Sequence, residues 1–160
     1  MSKLKNLLFS FILVGLTAYA AGFFTQVGID SWYRLAAKPI LTPPDSVFPI
    51  VWGLLYLTLI ISFYLVLNKI PADFRAETSQ LFISQLLLQI VWCFLFFYLG
   101  YTGLALIVLI ILNIIVWQMI RIFQEISTPA GYILYPYFIW LCFAAFLNAG
   151  FIIVNGMTAS

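Results

Sequence analysis

Histidine is missing from all 160 residues, and with it the commonest metal ligand, proton shuttle and haem axial ligand. Charge is nearly as scarce. Asp, Glu, Lys and Arg make up 8% of the chain, where a soluble domain carries about a quarter. None lies between Ser79 and Ile120 or after Glu125. A proton-coupled transporter or an ion channel keeps ionisable groups at membrane depth, so both classes are disfavoured. The net charge of +2 is small and scattered, which leaves no basic face for nucleic acid. The two cysteines, Cys93 and Cys142, sit inside apolar runs and form neither a disulfide framework nor a zinc site; buried thiols are the expectation. No metal site is expected, and nothing supplies a conventional acid–base or nucleophilic apparatus, so no catalytic residues for a dark reaction are assigned.

What the chain has instead is apolar length. With 65% hydrophobic residues and a mean hydropathy of +1.13, it reads as an integral membrane protein. A spanning helix needs about 20 apolar residues. Runs of that length cover residues 7–28, 46–67, 79–99, 103–123 and 130–154. The expected fold is an all-α, five-transmembrane-helix bundle, one domain over residues 1–160, with a Pro- and aromatic-rich loop between the first two helices. Residues 68–78, with Lys69, Asp73, Arg75 and Glu77, read as a solvated loop. Residues 100–102 leave room only for a tight turn, making the third and fourth helices antiparallel neighbours. Residues 124–129 turn the chain again, with Pro129 placed to begin the fifth helix, and Pro136 is expected to kink that helix near its start. Lys3 and Lys5 precede an apolar run ending near Ala18-Tyr19-Ala20, in the manner of a signal peptide; its length and the four spans that follow favour a first membrane helix. Lys3, Lys5, Lys69, Arg75 and Arg121 fall on one side of the membrane, and only Arg34 and Lys38 on the other. Positive-inside therefore puts the N-terminus in the cytoplasm and the first loop outside.

The chain is organised around residues 32–56, the one long segment outside an apolar run. It holds Arg34 and Lys38, four prolines (Pro39, Pro43, Pro44, Pro49) and the aromatics Trp32, Tyr33, Phe48, Trp52 and Tyr56. Proline fixes its own φ and pushes the preceding residue towards extended backbone, so a stiff segment over a cavity is expected. Within the membrane the polar groups are neutral amides: Gln85, Gln89, Asn113, Gln118, Asn148 and Asn155. Gln85, Gln89 and Trp92 share a helix face, which serves equally for helix–helix hydrogen bonding or as one wall of a cavity. Tyr137, Trp140, Ala144, Leu147 and Asn148 form a second stripe, readable as packing or as a ligand wall.

Four ordered motifs carry a resemblance across nearly the whole chain. They are W-Y-x-x-L-x-K-P-x-x-x-P-P (32–44), F-x-x-x-W-x-x-L-Y (48–56), the Gln85/Gln89/Trp92 face with Phe96 and Phe97, and L-Y-P-Y-x-x-W-x-x-F-A-x-x-L-N (134–148). Together they resemble the TspO/MBR family, the tryptophan-rich sensory proteins of bacteria and the mitochondrial translocator protein. The resemblance implies a five-helix bundle, commonly a homodimer, in a bacterial cell membrane, with membrane lipids around it. It implies a pocket beneath residues 30–45 that binds porphyrins such as protoporphyrin IX or haem as ligand rather than cofactor. Sterols and isoquinoline-type ligands are further candidates, and the role is that of a receptor or carrier in transport or stress signalling. The alternatives are light-dependent porphyrin breakdown and a ligand-regulated interaction protein. Mapped residue by residue, the pocket has Trp32, Pro43 and Pro44 as lid and Phe48 and Trp52 as wall. It continues with Gln85, Gln89 and Trp92, then Tyr137, Trp140, Ala144, Leu147 and Asn148. Arg34 and Lys38 stand at the mouth to meet propionates. A photochemical activity would fall to Trp52 and Trp140. This chain departs from the pattern at Leu41, where many relatives carry Trp, and at Val108, where some carry an acid. It has no Tyr followed by Lys or Arg after the fifth helix, which weighs against sterol binding. For a dimer face, Ala18/Gly22 and Ala145/Ala149 are the small-residue candidates.

Overall fold

A computed structural model describes residues 2–158. In hydrocarbon no water reaches backbone groups, so apolar runs must satisfy their hydrogen bonds internally. Among the described residues five helices are long and apolar enough to cross a membrane, and no strand is present. In chain order the elements are α1 (Lys3–Ile29), the single turn α2 (Trp32–Leu35) and α3 (Val47–Leu67). A 3-10 turn (Ala72–Phe74) leads into α4 (Arg75–Cys93), which continues as a π-helical turn (Phe94–Tyr98). α5 (Thr102–Ile126), α6 (Thr128–Tyr132) and α7 (Tyr135–Asn155) complete the bundle. α1 packs beside α3 and α4, α5 sits between α4 and α7, and α6 bridges α3 and α5. α4 and α5 are neighbours joined by a tight turn, in which Gly100 takes a φ of 68°.

At the end of the bundle away from the loop the centre is filled by aromatic rings. Phe63 and Phe82 stack with centroids 3.9 Å apart, and Phe123 lies on both, all buried. Here the solvated loop expected over 68–78 is corrected: its second half is already helix. The half-buried Arg75 opens α4, donating to Leu67 O at 3.0 Å and to Asn6 Oδ1 at 2.6 Å. Asn6 in turn donates to Leu67 O and Asn68 Oδ1. A cation on the last carbonyls of α3 is favoured by that helix's dipole, so Arg75 clamps three segments rather than facing water.

The fifth apolar run is broken, not kinked. α6 ends at Tyr132, residues 133–134 turn, and Pro136 falls in the first turn of α7, where its missing N–H costs nothing. The break has a packing cause. Ser62 Oγ donates to Ala130 O at 2.7 Å, drawing α6 against α3. Gly131 lies so near α5 that a Cβ would come within 2.8 Å of Ile120 O. Extending α5 to Ile126 also shrinks the turn expected over 124–129 to Ser127.

Candidate functional site

The loop segment is a fitted cover, built from its first residues. Gly28 carries α1 against the π-helical turn; a Cβ there would fall 2.6 Å from the Phe97 carbonyl carbon. Trp32 Nε1 donates to Phe97 O at 2.7 Å. Tyr33 then turns inward, 1% exposed, with its ring 5.2 Å from Phe151 and 5.6 Å from Phe97. Burial, and secondarily the charge of Asp45, pushes its phenol well above the ordinary tyrosine range. Lys38 Nζ sits 4.8 Å above the Tyr33 ring and 3.1 Å from Asp45 Oδ1. Arg34 pairs with Asp30 at 3.2 Å on the surface. The cover is fastened to α7: Ala37 N donates to Asn155 Oδ1 at 2.9 Å, and Asn155 Nδ2 donates to Ala37 O at 2.8 Å. Pro39 rests on Gly150, where a Cβ would come within 2.8 Å of it. Pro39 to Thr42 forms a turn that holds Leu41 at a φ of 73°, left-handed backbone that a non-glycine residue rarely adopts. Pro43 and Pro44 follow, and Pro44 O accepts from Val47 N at the start of α3.

Beneath the cover the expected site residues divide between two places. Gln85, Gln89, Trp92, Tyr137 and Asn148 form a buried network between α4 and α7. Tyr137 Oη donates to Gln85 Oε1 at 2.8 Å and lies 3.3 Å from Gln89 Oε1; Gln89 Nε2 donates to Tyr56 Oη at 2.8 Å. Trp92 Nε1 donates to Asn148 Oδ1 at 3.2 Å, and Asn148 Nδ2 donates to Thr102 O at 2.8 Å. Most of these hydrogen bonds tie one helix to another, the use that amides have in bilayers, while Gln85 Nε2 is buried without a partner among the described residues. The space left beside Trp92, Ala144, Leu147 and Asn148 is about 20 Å³, roughly room for one water. Tyr33, Phe96, Phe97 and Phe151 close around it.

The open space lies elsewhere. A cavity of about 530 Å³ separates the loop-proximal halves of α1 and α3, within the size range of small-molecule sites. Phe48, Trp52 and Tyr56 wall it from α3, Ala21, Gly22 and Thr25 from α1, and Cys93 from α4, with Gln26 and Asp45 also on its lining. A Cβ added to Gly22 or Gly53 would meet nothing within 4 Å; both glycines border this cavity and are exposed, so it opens on the bundle's outer face. Trp52 is the partition between the two regions, 5.6 Å from Tyr56 and 6.4 Å from both Trp92 and Tyr137. Phe48 borders both spaces, and Trp140 packs on Phe48 at 6.3 Å. Of the residues mapped from the resemblance, then, Phe48 and Trp52 face open space. Trp32, Arg34, Lys38, Pro43 and Pro44 belong to the cover, Trp140 packs on Phe48, and the remaining α4 and α7 residues are buried between those helices.

The sequence model of the TspO/MBR family matches residues 8–154. The chain belongs to the TspO/MBR family. It is 32% identical to the tryptophan-rich protein TspO of Archaeoglobus fulgidus over 155 residues, 96% of this chain and 99% of that protein. It is also 32% identical to the translocator protein of Ovis aries over 119 residues, 73% of this chain and 70% of that one. The tryptophan-rich sensory protein of Cereibacter sphaeroides shares 29% over 119 residues, 74% and 73% of the two chains. The expected family and five-helix membrane fold are both borne out. Within this TspO/MBR chain four of the five tryptophans, Trp32, Trp52, Trp92 and Trp140, gather at the loop end.

Four contributors to the site went unassigned from sequence. Tyr33 stands in the first motif and carries no mark that it turns inward. Asn155 was visible only as one more membrane amide. Gly22 and Gly53 matter for the room they leave, and only the approach of two helices reveals that.

Proposed function

We propose that this TspO/MBR protein is a membrane receptor or carrier for porphyrin-type tetrapyrroles. The observation that carries the reading is the cavity of about 530 Å³ walled by Phe48, Trp52 and Tyr56. A porphyrin is a large flat apolar ring with carboxylate tails, and aromatic walls suit the ring. Its propionates have partners to exchange for at the loop. Lys38–Asp45 and Arg34–Asp30 are exposed pairs, each worth about 1 kcal/mol or less, so an incoming carboxylate displaces Asp45 or Asp30 at little cost. Sterol and isoquinoline-type ligands would use the same walls. The Lys and Arg distribution supports a cytoplasmic N-terminus in a bacterial cell membrane, with the cover outside; a homodimer belongs to the same proposal.

The test is protoporphyrin titration of purified protein in the dark, followed by tryptophan quenching. Saturable binding is expected in wild type, weakened in Trp52→Phe and lost in Gly53→Leu, whose side chain intrudes on the space beside Trp52 where a flat ring would lie. Absence of saturable binding, or full binding by Gly53→Leu, sinks the reading. A photochemical role has one observation in its favour: Trp52 sits on the cavity wall with Tyr56 and Trp92 within 6.4 Å. Illuminating the same samples, with Trp140→Phe beside Trp52→Phe, separates a carrier from a light-dependent activity by whether the porphyrin spectrum is consumed. A ligand-regulated interaction protein would instead capture a partner only when porphyrin is present.

A further inference from the structure

Tyr56 lies nine residues, about two and a half turns, into α3 from Val47, and it lines the cavity between α1 and α3. Its hydroxyl oxygen accepts from Gln89 Nε2 at 2.8 Å. Gln89 is oriented in turn by Tyr137, whose hydroxyl lies within reach of both Gln85 Oε1 and Gln89 Oε1. With its oxygen used as acceptor, the Tyr56 proton has no acceptor among the described residues. The other hydroxyl on the lining, that of Thr25, is committed to Ala21 O at 2.8 Å. No Lys or Arg lines the cavity; Lys38 is held in the cover by Asp45, which stands at the loop end of the lining, and Arg34 by Asp30.

We infer that this cavity selects flat apolar ligands whose buried end carries a neutral hydrogen-bond acceptor, a ketone or amide carbonyl, taken by the Tyr56 hydroxyl. A carboxylate at that depth would be stripped of water with no cation to meet it, so any acidic group must trail towards the cover. A neutral carbonyl loses far less solvation and satisfies an otherwise idle donor. The chain Gln85–Tyr137–Gln89–Tyr56 thereby becomes the device that aims one proton into an apolar slot, and the amide face acts on the ligand without touching it. The inference rests on the reading that the cavity holds flat rings and adds which of them it prefers.

Two four-ring probes of similar size separate the parts, measured against protein-free lipid nanodiscs: the ketone benzanthrone and the hydrocarbon pyrene. Both are expected to saturate wild-type protein in nanodiscs, and Gly53→Leu is expected to lose both. Tyr56→Phe should weaken benzanthrone about fivefold, the worth of one neutral hydrogen bond, and leave pyrene within about twofold. The ketone's carbonyl stretch should fall in the wild-type complex and return to its apolar-solvent position in Tyr56→Phe. If neither probe binds, the cavity reading and this inference fail together. If both bind and Tyr56→Phe treats them alike, whether unchanged or equally weakened, only the inference is overturned. An unshifted carbonyl overturns it as well, and means that the Gln89 amide runs the other way and spends the Tyr56 proton inside the protein.

Discussion

Under one cover, the face between α4 and α7 is full and the gap between α1 and α3 is empty, although both are lined with aromatic rings. Aromatic content therefore does not decide where a ligand fits. The full side carries amides on both helices, and each meets an aromatic polar group on the helix opposite: Tyr137 donates to Gln85 and Trp92 to Asn148, with Tyr33 of the cover buried beside them. The empty side has glycine at Gly22 and Gly53, and its polar groups bond elsewhere, Thr25 to Ala21, Gln26 to Asp30 and Tyr56 to Gln89, rather than across the gap. In this bundle openness comes from missing side chains, and closure from mutual hydrogen bonding.

The contrast can be broken first on its full side. Asn148→Leu strands the Trp92 N–H in a buried site and takes one donor from the Thr102 carbonyl, at a cost of about 2–3 kcal/mol. A clear drop in thermal midpoint in detergent is expected; an unchanged midpoint would mean the network is not holding α7. Next come two glycines of one helix. Gly28→Ala drives a methyl into the Phe97 carbonyl and should cost about 2 kcal/mol. Gly22→Ala meets open space, and should gain about 0.5 kcal/mol from helix propensity; equal effects at the two sites would erase the distinction between packed and open. Between them in size is Asn155→Ala, which removes both hydrogen bonds to Ala37 at a water-accessible site, costing about 1 kcal/mol. Its sharper readout is faster proteolysis of residues 36–45 with the bundle intact. The smallest effect is confined to alkaline solution. Because the folded-state pKa of Tyr33 is raised, folding favours its neutral phenol, a contribution complete below the ordinary tyrosine value and lost as pH climbs above it. Tyr33→Phe should flatten the decline in stability above about pH 10 and leave neutral-pH stability nearly unchanged.

Much of this was readable from residues. Backbone in hydrocarbon has a single solution for an apolar run of that length, so the five spans and the tight turn before Thr102 followed from composition alone. The co-facial amides were legible as amides, while their employment was not, because spacing on one helix does not say whether the opposing helix brings a partner. Tyr137 and Asn148 do bring one. The break before Pro136 was missed because a proline in an apolar run reads as a kink unless the pull of Ser62 on Ala130 and the closeness of Gly131 to α5 are known. The π-helical turn left no mark in the sequence at all. It is the turn whose Phe97 carbonyl receives Trp32, and so it decides where the cover begins.

The pairing of Asn155 with both backbone groups of Ala37 has a mechanical consequence. A side-chain amide that copies one rung of a β-ladder makes the last turn of α7 and the cover a single moving part, joined again where Pro39 sits on Gly150. The same end of the chain is stitched to the start of α5 through Thr102 Oγ1 to Gly156 O and Gly103 N to Met157 O. Force applied just after α7, by a fused domain or a surface attachment, would therefore be felt first at the cover. A tag placed there is not a passive label but a hand on the latch.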